Sequence, residues 1–277
     1  MSLVFVKLGG SLLTDKTQPE SLREGVLRRL AGELAAIARQ APGGLVLGHG
    51  SGSFGHVIAE RWKVHEGVAA TPDGADALEG IARTQHLAAR LHRRVVAELL
   101  AAGARPFSFV PSTAALGAGG RIDTMEIASL VGALDLGLLP VTYGDVLIDR
   151  ERGSAIASTE AVFEALVDEL ARQGRKVERC LWLGETNGVL DADGRRIPRL
   201  TAAKAHEVMG TVGGSAGTDV TGGMRLRLET ALRLAERGVP SRILDGREPG
   251  MLERALGEGA DERGTSVSPA GRSTHAP

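Results

Sequence analysis

The feature that most constrains this chain is a repeated change of period. Short apolar runs stop at glycine clusters, and each is followed by a segment whose apolar residues recur every three to four positions. Leu3 to Leu8 is such a run and ends at Gly9-Gly10, the pattern of a buried parallel strand meeting a loop. Leu22, Val26, Leu30, Leu34 and Ile37 then repeat at helical spacing through Ser21 to Gln40, and Pro42-Gly43-Gly44 ends that helix. Leu45-Val46-Leu47 predicts a second strand, which breaks into the segment His49 to His56. This opening reads as a βαβ unit with both glycine loops at the C-terminal ends of strands, where open α/β sheets bind ligands.

The alternation continues along the chain. Helices are expected over Asp76 to Ala102, Leu130 to Leu134, Glu160 to Arg172 and Met224 to Arg237. Strands are expected over Arg105 to Val110, Pro140 to Val146, Cys180 to Leu183 and Ser241 to Leu244. The polar turn Asp149 to Gly153 predicts a hairpin over Val146 to Ala157. Such a sequence argues for an α/β fold with a largely parallel sheet and helices on both faces. A change of character near residue 175 divides the chain into two lobes, 1–175 and 176–260, with no linker between them. The polar, aperiodic segment 261–277 predicts at most a short last strand and then a disordered tail.

Composition narrows the function. With 43% hydrophobic residues the chain can build a sizeable core. Thirty-three basic residues against 34 acidic ones give a net charge of −1, so no global field gathers nucleic acid or an anionic membrane. Cys180 is the only cysteine, which excludes an internal disulfide and any multi-cysteine zinc site. No apolar run is long enough to span a bilayer, and the N-terminus lacks a signal-peptide pattern. A soluble cytoplasmic protein is the expectation.

Three glycine loops carry the candidate chemistry. In Lys7-Leu8-Gly9-Gly10-Ser11, with Lys16 beyond, backbone amides can approach phosphate oxygens closely and form an anion nest. A tight β-to-α turn with a solvated lysine would look the same. The loop from His49 to His56 spaces Gly50, Gly52 and Gly55 around Ser51 and Ser53 ahead of a possible helix. It is neither a Walker A loop nor the dinucleotide fingerprint. Of its two histidines, His56 faces the expected helix and is the better catalytic candidate, while His49 at the strand end reads as structural. The third loop, Gly213 to Met224, opens onto a helix bearing Arg225 and Arg227, with Asp219 and Thr221 as capping types. Beside these, Tyr143-Gly144-Asp145 stands at a strand end, where Asp145 could hold a loop or act near a metal. Thr186-Asn187-Gly188 could embrace a nucleotide or simply turn.

Taken in order, Lys7 to Ser11, Gly48 to His56, Gly144-Asp145-Val146 and Asp219 to Met224 resemble the amino acid kinase superfamily over about residues 3–255. Within it, the resemblance is to the branch that phosphorylates isopentenyl phosphate. The second loop with its terminal His56 is the most specific element, because the first is shared with relatives that phosphorylate carboxylates, carbamate or UMP. The resemblance implies an αβα sandwich around a mainly parallel open sheet, with acceptor phosphate and isoprenoid in the N-terminal lobe and ATP in the C-terminal one. It also implies roles. Lys7, Leu8, Gly9, Gly10 and Ser11 would form the ATP phosphate loop, with Gly52, Gly223 and Arg227 at further nucleotide positions. Lys16 would be the transition-state lysine. Ser51 and Gly144 would bind the acceptor, and His56 would hydrogen-bond its phosphate.

Two departures stand out: Arg227 replaces the usual lysine, and Ser158-Thr159-Glu160 stands where relatives have Ser-Gly-Asp. Mg²⁺ would accompany ATP, and no carboxylate pair stands out as its ligand. A homodimer is implied as well. Helix 76–102 and segment 130–134 are the expected walls of an isoprenoid pocket. Same-fold alternatives are a kinase of another small phosphate or phosphonate, of the fosfomycin type, and a catalytically weak nucleotide-binding regulator.

Overall fold

The computed structural model describes residues 3–15, 17–68, 75–191, 193–201, 208, 222–257 and 263–269. In chain order the first half comprises β1 (Leu3–Leu8), α1 (Gly10–Leu13), β2 (Thr14–Asp15), β3 (Ser21–Leu22), α2 (Glu24–Gln40), β4 (Leu45–His49), α3 (Gly52–Arg61) and α4 (Ala75–Ala101). Then come β5 (Pro106–Ser108), α5 (Pro111–Ala114), β6 (Ala115–Ala118), β7 (Arg121–Met125), α6 (Ala128–Asp135), β8 (Leu139–Tyr143), β9 (Asp145–Asp149), β10 (Gly153–Ala157) and α7 (Thr159–Arg172). The remainder is β11 (Val177–Gly184), β12 (Arg199–Leu200), α8 (Gly222–Glu236), β13 (Ser241–Asp245), α9 (Met251–Leu256) and β14 (Thr265–Val267).

Eight strands form one sheet in the order β12-β14-β13-β11-β1-β4-β8-β5. All pairs from β13 to β5 are parallel, and β14 runs antiparallel to β13. Strand β1 sits between β4 on one side and β11 on the other. The chain thus builds outward in both directions from its first strand, and the crevice at that switch point is where such sheets hold ligands.

The period-2 alternation of β1 sends its side chains to two separate cores. Phe5 packs with Phe163 and Leu166 of α7, Trp182 of β11 and Leu228 of α8. Val6 and Leu8 pack with Leu30 and Leu34 of α2, Leu91 and Val95 of α4, and Leu252 of α9. Lys7 shares the Phe5 face, so a charged side chain enters the layer of α7 and α8.

The structure corrects several expectations. Ser21–Leu22 pairs with Thr14–Asp15 as a small hairpin, so the helix begins at Glu24 rather than Ser21. The run 140–146 is two strands: Leu139–Tyr143 stays in the main sheet, while Asp145–Asp149 enters a four-stranded sheet of order β10-β9-β6-β7. The expected hairpin is present, as β9 and β10 pair antiparallel. The short last strand allowed in the segment 261–277 is present, as Thr265–Val267 joins the main sheet; residues 270–277 lie outside the described ones. Leu130 and Leu134 of α6 join the Phe163 core, on the opposite sheet face from Leu91 and Val95 of α4. The C-terminal half of α4 and α6 therefore pack into different cores. Among the described residues, no helix is long and apolar enough to cross a membrane.

Candidate active site

The first two glycine loops meet backbone to backbone at the C-terminal end of β1. A Cβ on Gly10 would stand 2.5 Å from the Gly52 nitrogen, and one on Gly50 would stand 2.8 Å from the Gly10 nitrogen. Gly52 itself has φ +51° and packs on the Gly10 carbonyl and Thr14. Thr14 ties the loops together: its Oγ1 donates to the Gly10 carbonyl at 2.8 Å and accepts from Ser53 N at 2.9 Å. Glycine is needed here for close approach, and no side chain fits between the cradles.

A buried charge cluster lies beneath them. Lys7 Nζ donates to Glu160 Oε1 at the start of α7. Arg227, in the second turn of α8, is also buried, and its Nη2 and Nη1 stand 3.3 and 2.6 Å from where a Cβ on Gly9 and on Gly184 would lie. Its Nε has no hydrogen-bond partner among the described residues. Burial pushes the Lys7 amine below its ordinary value; the Glu160 carboxylate opposes this and the Arg227 charge adds to it. Burial alone would raise Glu160, but the Lys7 charge and hydrogen bond, with Arg227, hold it low. Among the described residues, these two cations face one carboxylate, which leaves an excess of one buried positive charge. Such a charge is costly unless an anion answers it.

Of the other expected residues, Leu8 is buried at the end of β1, and Ser11 lies half-buried in α1. Ser51 sits half-buried at the N-terminus of α3, beside Gly52. Gly144 donates from its N–H to the His49 carbonyl at 3.2 Å, so it adjoins the second loop. Gly223 lies exposed in the first turn of α8. His56 is on α3; its side chain, Lys16, and residues 213–221 of the third loop lie outside the described residues.

Asp145 holds a loop. Its carboxylate accepts from Ser112 N at 3.2 Å and Val146 N at 2.9 Å, and burial raises it above its ordinary value. Asn187 is a turn residue whose Oδ1 accepts from Gly264 N at 2.8 Å. Sequence reading missed Glu160, Gly184 and Thr14 as members of the site. Gly184 had a signal, being a glycine at a strand end; the other two depend on tertiary contact.

Interlocked glycine cradles over a buried cation pair, at the switch point of a parallel sheet, define a phosphate-handling α/β protein. The chain belongs to the amino acid kinase family, whose model matches residues 2–245. It is similar to the isopentenyl phosphate kinase of Methanothermobacter thermautotrophicus, with 32% identity over 96% of this chain and 99% of that protein. The Haloferax volcanii isopentenyl phosphate kinase is 34% identical over 88% of this chain and 91% of its own length. A solved isopentenyl phosphate kinase structure superimposes with a TM-score of 0.77 at 29% identity, covering 96% of this chain and 100% of the other.

Proposed function

We propose that this protein transfers the γ-phosphoryl group of ATP to isopentenyl phosphate, giving isopentenyl diphosphate and ADP. The observation that carries the reading is the excess of buried positive charge that Lys7 and Arg227 hold over Glu160 among the described residues, under two glycine cradles. Full-length similarity to isopentenyl phosphate kinases supports the acceptor.

The chemistry needs few groups. A phosphate monoester is mostly dianionic at neutral pH, so its oxygen attacks the γ-phosphorus without a general base. As that bond forms, the bond from γ-phosphorus to the bridging oxygen breaks and its electron pair leaves with ADP. The enzyme must align two repelling anions and neutralise charge on the transferring group. Lys7, Arg227 and the amides of Gly9, Gly10 and Ser11 serve the nucleotide phosphates, with Leu8 shaping the strand end; Gly52 and Gly223 extend that surface. Ser51, Gly144 and His56 serve the acceptor, and Lys16 the transition state. Positioned donors of this kind contribute about 3 kcal/mol each.

Mg²⁺ would accompany ATP, and the chemistry it would supply is neutralisation of phosphate charge. Among the described residues Glu160 is engaged by Lys7 and Asp145 by backbone amides, so in this reading nucleotide oxygens and water would hold the ion. In this reading residues 1–175 hold the acceptor and 176–260 the nucleotide base, in a cytoplasmic homodimer.

A coupled assay of ADP release tests the proposal. Turnover with isopentenyl phosphate is expected. Turnover only with a phosphonate such as fosfomycin would reassign the acceptor, and ATP binding without turnover would leave a nucleotide-binding regulator.

A further inference from the structure

His49 is fully buried and lies against two other rings. It stacks on His92 of α4 at 5.4 Å between centroids and on Tyr143 of β8 at 5.6 Å. Hydrogen bonds link this stack to the surface on one side and to the second glycine loop on the other. Ser108 Oγ, on exposed Ser108, is 2.8 Å from His92 Nε2. His92 Nδ1 is 3.2 Å from His49 Nε2, and His49 Nδ1 is 3.2 Å from the Gly50 carbonyl.

The end of this chain fixes its direction. A carbonyl can only accept, so His49 Nδ1 carries the hydrogen. In a neutral ring Nε2 then accepts, which requires a hydrogen on His92 Nδ1, leaving His92 Nε2 to accept from Ser108. The charged groups facing the two rings are Lys7, Arg93 and, through Tyr143, Asp145; among the described residues no carboxylate touches either imidazole. Burial first of all pushes His49 down to about 4 and His92 to about 3, so both rings are neutral at physiological pH.

We propose that His92 is a positioning residue for the acceptor: it fixes the tautomer of His49, which pins the Gly50 carbonyl inward. In a planar trans peptide the carbonyl and the next N–H point opposite ways. Holding the Gly50 carbonyl against the buried stack therefore turns the Ser51 N–H outward, towards the cleft. That N–H makes no hydrogen bond among the described residues, as expected of a donor kept for a ligand oxygen. The Gly50 N–H is held from the other side by the Leu8 carbonyl at 3.0 Å, and the His49 carbonyl by Gly144 N and Thr159 Oγ1. The hinge left to control is the Gly50-Ser51 peptide. The inference rests on the reading of this loop as the acceptor cradle.

Two measurements test it. Long-range ¹H–¹⁵N NMR of the intact protein at pH 7 should show His49 and His92 as neutral Nδ1–H tautomers. Observation of either ring as the Nε2–H form or the cation overturns the chain. In kinetics, His92→Phe keeps a stacking ring and deletes both nitrogens, while His92→Asn returns a donor near the Nδ1 position. The expected result is an acceptor KM raised about tenfold in His92→Phe with the ATP KM unchanged, and substantial recovery in His92→Asn. An unchanged acceptor KM, an equal rise for ATP, or no recovery with asparagine overturns the role. Should His92→Phe fail to fold, the wild-type spectrum still decides the tautomers, and His92→Leu takes its place against His92→Asn in the KM comparison. The spectrum needs no turnover, so an inactive protein with the expected tautomers faults the acceptor assignment, whereas an active one with the wrong tautomers faults this chain.

Discussion

Glu160 is the residue on which the charge balance of the site turns. It is buried against Lys7 with Arg227 close by, and removing one partner of a buried pair costs about 3–5 kcal/mol because the other charge is left unanswered. Glu160→Gln should therefore lower stability by a similar amount and reduce turnover by about a hundredfold or more. It should also gain a larger rise in Tm from added ATP than the wild type does, since phosphate then answers two bare cations. Equal ATP-induced shifts in a thermal melt would separate this pair from the phosphate site. Glu160→Asp keeps the charge and should lose less. Lys7, Gly9 and Gly10 were legible in the sequence because a lysine and two glycines directly follow an apolar run. Glu160 was not, because it meets Lys7 across 153 positions and stands where relatives have a shorter carboxylate. Nothing local says that the Glu160 side chain, launched from the start of α7, reaches Lys7 Nζ.

Among the elements, β1 and β13 were readable almost to the residue, because burial on both faces makes them continuous apolar runs, while β11 was expected only over Cys180 to Leu183 of Val177–Gly184. In the second sheet the β9–β10 hairpin was readable, and β6 and β7 were not. Ala115–Ala118 and Arg121–Met125 carry small and polar residues with little alternation, although Gly119-Gly120 between them, at φ +60° and +85°, is the signature of a two-residue hairpin turn. Pro140 to Val146 read as one strand because Gly144, where the chain leaves one sheet for the other, has no local mark beyond being glycine. The strand-end loops carry a prediction of their own. Gly10→Ala places a methyl 2.5 Å from the Gly52 nitrogen, and backbone cannot yield as a side-chain tip would. It should cost about 1–3 kcal/mol and most of the activity. Gly32→Ala, exposed in the middle of α2 with nothing within 4 Å of the new methyl, should instead stabilise by roughly 0.5–1 kcal/mol and leave kcat alone. Denaturant titration with steady-state kinetics on both variants checks the pair, and an active, stable Gly10→Ala would mean the two loops do not interlock.

For the whole molecule, the buried histidine pair writes itself into the pH dependence of stability. Both rings have folded values depressed by burial, His49 to about 4 and His92 to about 3, from an ordinary 6.5. Above pH 6.5 neither state binds these protons and the full stability is present. As pH falls below 6.5 the unfolded chain takes up two protons that the folded molecule refuses, so stability declines until the folded values are reached. Each such proton contributes about 1.4 kcal/mol per pH unit. Glu160 and Asp149, both held low, add loss in the same direction at lower pH, whereas Asp145, held high by burial, opposes it. Comparing the wild type with His92→Asn isolates His92, because His49 and the carboxylates are common to both. The urea midpoint of the wild type should fall more steeply from pH 6.5 to 4.5 than that of the variant, so the stability gap between them narrows on acidification. Parallel curves would mean that His92 accepts its proton as readily in the folded state as in the unfolded one, which a dry stack between β4, β8 and α4 does not permit.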